Sequence, residues 1–154
     1  MSGVVEEILA EGVLFGVNAT DWRDLTNQVG AYMEKQGLSN SGYTAAMIEN
    51  VETNGPYLVI APGTALLHAR PESGCLRNGI VIGTCEPPVE FGHSVNDPVS
   101  LFLGLSATGN MEHVALLQAV ALLLSKKDAL QALASAADRE HFIEVLRGLE
   151  RSDD

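Results

Sequence analysis

The chain has 154 residues, which suits one domain with a core of its own. Nine Lys and Arg residues against 20 Asp and Glu residues give a formal net charge of −11. This balance argues against nucleic-acid binding and against anionic membrane surfaces, because both need a basic surface. The 46% hydrophobic content is typical of a folded globular chain and excludes a disordered one.

Targeting and membrane-spanning signals are missing from the sequence. Residues 1–7 lack the basic and apolar regions of a signal peptide. The longest apolar run, residues 114–124, is too short to cross a bilayer. Two cysteines, Cys75 and Cys85, are too few for a disulfide framework. We therefore expect a cytoplasmic protein with reduced thiols and no direct membrane insertion.

The first third of the chain alternates helical and extended patterns. Val13–Val17 is a short apolar run and predicts a strand. Thr20 is the expected N-cap of the helix that follows, which ends near Gln36 and before Gly37. Apolar residues at helical spacing predict helices over residues 4–11, 21–36 and 41–54.

The middle of the chain changes to β-type patterns. Apolar runs predict strands over residues 57–61, 64–67, 79–85 and 99–105, and the last run is so continuous that both of its faces should be buried. Pro87 and Pro88 cannot donate to a sheet, so residues 87–91 are predicted as a separate edge strand.

The last third is helical. Asn110 is the expected N-cap of a helix over residues 111–124. Ser125-x-x-Asp128 and Ser135-x-x-Asp138 resemble capping boxes. They predict two further helices over residues 126–134 and 136–149. The elements together predict a single α/β domain of residues 1–150, followed by a polar tail of residues 151–154.

Histidines are the best candidates for chemistry near neutral pH. His68 ends a strand-like run at the start of a Pro/Gly loop, where α/β folds place reactive groups. Arg70, two residues on, suits phosphate or carboxylate oxygens. His113 falls near the third position of a predicted helix, where free N–H groups favour an anion and a neutral imidazole.

Each histidine also has an ordinary structural interpretation. His68 with Arg70 fits a surface loop, and His113 fits a residue that packs at a helix end. A turn role is the default for His93, and a solvated helix face is the default for His141. The sequence contains no HExxH, CxxC, P-loop or Gly-x-Ser-x-Gly motif, so we expect no metal site and no serine hydrolase of that kind.

Residues 57–74, YLVIAPGTALLHARPESG, resemble the phosphorylation segment of the mannitol/fructose-class IIA components of the bacterial sugar phosphotransferase system (PTS). The stretch HARPE, residues 68–72, is most similar to the ascorbate-type branch. Two more segments match in the expected order, one around His93 and one that begins Glu112-His113. The resemblance covers about residues 4–149.

This resemblance implies a mixed β-sheet flanked by helices on both faces, and a phosphoryl relay. The small carrier HPr gives a phosphoryl group to a IIA histidine, which passes it to a cysteine of the IIB component. The membrane component IIC then imports the sugar, here expected to be L-ascorbate. His68 resembles the phosphorylated nucleophile, and His113 resembles a neighbour that holds phosphoryl oxygens. Arg70 is proposed to balance charge, and His93 is a weaker candidate for the rim of the site. No cofactor is implied.

Two departures from the family pattern bear on the site. Leu67 replaces a proline before the histidine, and residues 49–51, Glu-Asn-Val, replace an Arg-Glu pair, which makes Arg70 more important. We further expect a tautomer-fixing carbonyl beside His68, and an apolar docking collar that includes Leu66, Leu67 and Pro71. A regulatory, nitrogen-type IIA role and a hydrolase using the two histidines are the alternatives, and a homodimer is left open.

Overall fold

The computed structural model describes residues 3–151 of the chain. Within this range five strands form one mixed sheet in the order β1-β4-β5-β3-β2. The strands are β1 Val13–Val17, β2 Val59–Ala61, β3 Thr64–Leu67, β4 Gly79–Val89 and β5 Val99–Ser106. β1 is parallel to β4 and β3 is parallel to β5, whereas β4 with β5 and β2 with β3 are antiparallel.

Helices cover both faces of this sheet. They are α1 Val4–Glu11, α2 Trp22–Lys35, α3 Ser41–Asn54, α4 Asn110–Leu124, α5 Ala129–Ala134 and α6 Arg139–Arg151. Buried residues of α2 and α3 share one core with the sheet, and those of α1, α4, α5 and α6 share the other. The predicted single α/β domain with a mixed, doubly covered sheet is confirmed. None of the helices in residues 3–151 is long and apolar enough to span a membrane.

The central strand β5 explains the continuous apolar run in the sequence. Leu101, Leu103 and Leu105 point to the core of α4 and α6, and Phe102 points to the core of α2 and α3. All four side chains are 0% exposed. The predicted burial of both faces of this strand is therefore confirmed. A strand covered on both faces has no solvent-facing side on which polar residues would be favoured, which explains the continuous apolar run.

Two of the predicted N-caps are wrong by one residue. Asp21, not Thr20, caps α2, because its carboxylate accepts the backbone N–H of Asp24 at 2.8 Å. Gly109, not Asn110, is the N-cap of α4, and Asn110 is the first helical residue. Neighbouring residues that are both good caps leave the choice to the surrounding backbone.

The two predicted capping boxes are also wrong. Ser125 and Ser135 donate their hydroxyls backwards, to Leu122 O at 2.8 Å and Gln131 O at 2.7 Å, so each serine ends a helix rather than beginning one. The following helices begin later than predicted, at residues 129 and 139. Ahead of α6 it is Asp138 whose carboxylate accepts a backbone N–H, from residue 141 at 2.8 Å.

Pro87 and Pro88 lie inside β4, not in a separate edge strand. The pairing of β4 with β1 ends at Cys85, and its pairing with β5 skips from Thr84 to Val89. The prolines therefore stand where no ladder needs their missing N–H groups. At the other end of the chain, α6 extends through residue 151, one position into the expected tail, and residues 152–154 lie outside the described range.

Candidate functional site

The topology brings together the two histidines that the sequence singled out. β3 and β5 are parallel neighbours in register, with Leu67 opposite Gly104, so their carboxyl ends meet at one edge of the sheet. His68 follows β3 directly, and α4, which carries His113, follows β5 after three residues. The ring centroids of His68 and His113 lie 5.6 Å apart. A crevice at the carboxyl ends of strands is where α/β folds bind ligands.

A backbone carbonyl fixes the tautomer of His68. Its Nδ1 lies 2.8 Å from the carbonyl oxygen of Leu66. A carbonyl only accepts, so Nδ1 carries the proton and Nε2 keeps its lone pair. The expected carbonyl partner is thus confirmed, and the free nitrogen is Nε2.

The surroundings of His68 also keep its ring neutral. Burial lowers the pKa of His68, and the nearby His113 lowers it further, whereas the hydrogen bond to Leu66 raises it. The net effect is a pKa below the usual value. A neutral imidazole with an unprotonated Nε2 is a nucleophile at neutral pH.

His68 lines a cleft of about 600 Å³ whose walls come from α3, the segment after β3 and the start of α4. Among the described lining residues, Arg70 supplies the positive charge, and Glu49 and Glu72 supply two negative ones. Arg70 is exposed, so its guanidinium is accessible from solution. The cleft therefore combines two imidazoles, one of which has an unprotonated Nε2, and one guanidinium.

Sequence reasoning missed two other side chains of this cleft. Asn50 donates through Nδ2 to His68 O at 3.1 Å and to the Tyr57 hydroxyl at 2.9 Å. The Tyr57 ring lies edge-on to His68, with centroids 6.2 Å apart. The sequence had marked Asn50 only as a place without arginine, and contacts across 18 and 7 residues leave no local pattern that would have revealed them.

A buried tyrosine anchors residues 68–74, the segment that carries His68 and Arg70. The Tyr43 hydroxyl donates to Leu105 O at 2.6 Å and accepts from Ala69 N at 3.0 Å. Burial raises the pKa of Tyr43 far above its usual value, so this donor stays protonated. Gly74, with φ of +143°, closes the segment against Asn40, where a Cβ would lie 2.1 Å from the amide oxygen. Both ends of the segment are thus fixed to α3 and its N-cap.

The other two histidines serve local structure. His93 Nδ1 accepts backbone N–H groups from Val95 at 3.1 Å and Asn96 at 3.0 Å, and the residues that line the cleft do not include it. The expected turn role of His93 is confirmed, and a place at the rim is not supported. His141 lies exposed on α6, where its Nδ1 accepts from Ala137 N.

The apolar docking collar expected around the site is wrong for two of its three residues. Leu66 and Leu67 are 4% and 0% exposed. β3 lies between β5 and β2, with a hydrophobic core on each face, so both leucines are covered. Met111 and Val114, close to His113 on α4, are exposed apolar side chains instead, at 84% and 51% exposure.

Comparison with known families agrees with this geometry. The model of the family described as "Phosphoenolpyruvate-dependent sugar phosphotransferase system, EIIA 2" matches residues 7–148. The chain belongs to this family. EIIA components are phosphotransferases that act as phosphoryl carriers, so the chain is a member of a phosphocarrier family.

Individual relatives carry different sugar names. The chain is 31% identical over 130 residues to the mannitol-specific cryptic phosphotransferase enzyme IIA component of Escherichia coli K12, which covers 84% of the chain and 87% of the relative. It is 42% identical over 82 residues to the ascorbate-specific PTS EIIA component of the same strain, which covers 52% and 53%. The solution structure of the mannitol-specific cryptic enzyme IIA CmtB from E. coli matches with a TM-score of 0.84 at 26% identity, over 94% of the chain and 98% of that structure.

Proposed function

We propose that the chain accepts a phosphoryl group from phospho-HPr on Nε2 of His68 and passes it to a IIB component, and that residues 1–150 form the domain that does so. The observation that carries this proposal is the 2.8 Å bond from Nδ1 to Leu66 O, which leaves Nε2 with its lone pair. The lone pair attacks phosphorus while the P–N bond to the donor histidine breaks. The proton on Nδ1 stays in place, and Leu66 O stabilises the positive charge that develops on the ring.

His113 and Arg70 are proposed to hold the oxygens of the transferred group. Their side chains line the same cleft as His68. The backbone N–H of His113 is already bonded to Gly109 O at 2.9 Å, so its contribution comes from the imidazole. Phosphoryl transfer depends on positioning and charge stabilisation more than on other chemistry of the protein.

HPr and IIB are proposed to dock in turn on the same face, because both must reach His68. Met111 and Val114 offer exposed apolar contacts, and the adjacent Glu112 adds negative charge. A net charge of −11 would speed encounter with a basic partner surface. IIC is reached only through IIB.

L-ascorbate is the proposed sugar of the pathway. Its support is the HARPE stretch that begins at His68 and the 42% identity over 82 residues to an ascorbate-specific component. The mannitol-named relative aligns over more of the chain but at lower identity. IIA does not contact the sugar in this scheme, so the choice of IIB partner defines the pathway.

The test is intact-mass spectrometry after incubation with phosphoenolpyruvate, Enzyme I and HPr. The wild-type chain should gain one acid-labile phosphoryl group, His68→Ala should gain none, and His141→Ala, on the exposed face of α6, should behave as wild type. A folded wild-type chain that stays unmodified beside active carriers would contradict the relay.

A second step resolves the pathway. The phosphorylated chain is mixed separately with ascorbate-class and mannitol-class IIB, and transfer to the former alone supports the ascorbate assignment. Stable phosphorylation without transfer to either protein would favour the regulatory alternative. Turnover of phosphate esters without any carrier would favour the hydrolase alternative.

A further inference from the structure

A chain of hydrogen bonds crosses one wall of the His68 cleft. Asn54 Nδ2 donates to Asn50 Oδ1 at 2.8 Å, and Asn50 Nδ2 donates to both His68 O and the Tyr57 hydroxyl. The direction of this chain is fixed, because the carbonyl of His68 only accepts and must face the NH₂ group of Asn50. Both amide hydrogens of Asn50 therefore have acceptors, one on His68 and one on Tyr57.

This direction decides what the Tyr57 hydroxyl does. Its oxygen accepts from Asn50, so its own proton is free to be donated elsewhere. Within residues 3–151 the structure gives this proton no acceptor. Tyr57 is 52% exposed, lies edge-on to the His68 ring and lines the same cleft. An oriented O–H donor with no acceptor thus stands beside the nucleophile.

We propose that the Tyr57 hydroxyl donates a hydrogen bond to an oxygen of the phosphoryl group on His68, and that Asn50 is the positioning residue that aims it. The inference rests on the proposed function, since it needs a phosphoryl group on His68. No proton leaves Tyr57. Nε2 gains the bond to phosphorus as the donor loses it, and the hydroxyl only stabilises the anionic oxygens.

The charges of the cleft explain the use of a neutral donor. Arg70 shares the lining of the cleft with two carboxylates, Glu49 and Glu72. A hydroxyl stabilises the transferred group without adding positive charge, so the group remains easy to pass on. A second guanidinium in the place of Asn50 would hold the dianion more tightly.

The test uses potassium phosphoramidate, a chemical donor that phosphorylates histidine without any carrier protein. Tyr57→Phe keeps the ring and removes the hydroxyl. The phosphorylation that depends on His68, measured as the gain in intact mass that His68→Ala lacks, should be about tenfold slower. Tyr32→Phe is the matched control, because the Tyr32 hydroxyl bonds to Glu11 O away from the cleft and should leave the rate within about twofold. An unchanged rate in folded Tyr57→Phe would overturn the role of Tyr57.

Asn50→Ala tests the positioning role separately. It should slow phosphorylation strongly in the wild-type background and much less in the Tyr57→Phe background, because two residues that act as a unit are not additive. Fully additive effects would overturn the positioning role of Asn50. A thermal melt of each variant checks that the fold is kept.

Running the same set with phospho-HPr separates the two proposals. Labelling of wild type by phosphoramidate but not by phospho-HPr would contradict the relay and still measure Tyr57. Labelling by both donors, with Tyr57→Phe equal to wild type in each, would contradict only the inference about Tyr57. No labelling of wild type by either donor would overturn both.

Discussion

His68 and His93 have similar surroundings in the sequence, but their Nδ1 atoms make opposite kinds of hydrogen bond in the structure. Each comes shortly after a large apolar residue, Leu67 or Phe91, and is followed by a loop with polar residues and a proline. At His68 a carbonyl, Leu66 O, faces Nδ1. At His93 two backbone N–H groups, from Val95 and Asn96, face the same atom. One ring is therefore protonated at Nδ1 with Nε2 free, and the other must leave Nδ1 unprotonated.

The difference teaches that the backbone around a histidine, rather than its loop context, decides whether it can be a nucleophile. At His93 the carboxylate of Asp97 accepts from the N–H groups of Phe91, Gly92 and His93, which fixes the turn and points those amides inward. The imidazole then serves as an acceptor inside the turn. At His68 the ring serves as a donor, and its second nitrogen stays available.

The largest expected difference between the two histidines is in phosphoryl acceptance. His68→Gln should lose it entirely because no other ring nitrogen replaces Nε2, whereas His93→Gln should keep it. Intact mass after treatment with phosphoenolpyruvate, Enzyme I and HPr measures both. A phosphoryl group on His68→Gln, or its loss in folded His93→Gln, would break the comparison.

The turn around His93 should matter more to the free energy of unfolding than to phosphoryl acceptance. Asp97→Ala removes the acceptor of three backbone N–H groups and should lower the free energy of unfolding by about 3 kcal/mol. Urea denaturation measures this, with the exposed Glu90→Ala as the control. The folded variant should still accept a phosphoryl group. A loss below about 0.5 kcal/mol, the range of ordinary surface changes, would show that the turn does not depend on the carboxylate.

Arg70 should matter to rate more than to stability. Arg70→Ala should slow phosphorylation by about tenfold to a hundredfold, since a hydrogen bond to a charged group contributes about 1.5–3 kcal/mol. Arg147→Ala, an exposed arginine on α6, is the matched control. Equal phosphorylation rates for the two variants in a stopped-flow or quench assay would contradict a role of Arg70 in phosphorylation.

The tautomers can be read directly by ¹⁵N NMR of the imidazoles. His68 should be protonated at Nδ1 and His93 at Nε2 at pH 7.5. Because burial holds the pKa of His68 below its usual value, His68 should stay neutral at a pH where an unfolded histidine is already charged. The unfolded chain then binds the extra proton, so stability falls as the pH drops through the ordinary histidine pKa towards that of folded His68. Titration of His68 at or above the ordinary value would contradict this.

Sequence reasoning predicted well what depends on repeating patterns. The apolar run of β5 and the approach of His68 to His113 follow from periodicity, topology and family resemblance. The helix starts were less predictable, because Thr20 beside Asp21 and Gly109 beside Asn110 offer two caps each.

Burial and long-range contacts were the harder part. Leu66 and Leu67 are apolar residues next to the loop that begins at His68, and nothing local shows that helices cover both. Asn50 and Tyr57 reach the site through contacts that only the fold creates. The sequence shows which residue types are present near His68, and the tertiary packing decides which of them face it.

The hydroxyl of Tyr43 has a consequence for how partners meet this protein. It connects the amide of Ala69, next to His68, to the carbonyl of Leu105 on the central strand. The backbone next to His68 is therefore bonded to the central sheet. The amide of Ala69 should exchange with solvent on the slow timescale of subglobal opening rather than on that of a loop. A histidine held in this way does not change its position to fit each partner protein. The proposed donor and recipient of the phosphoryl group must therefore present similar shapes to one fixed surface.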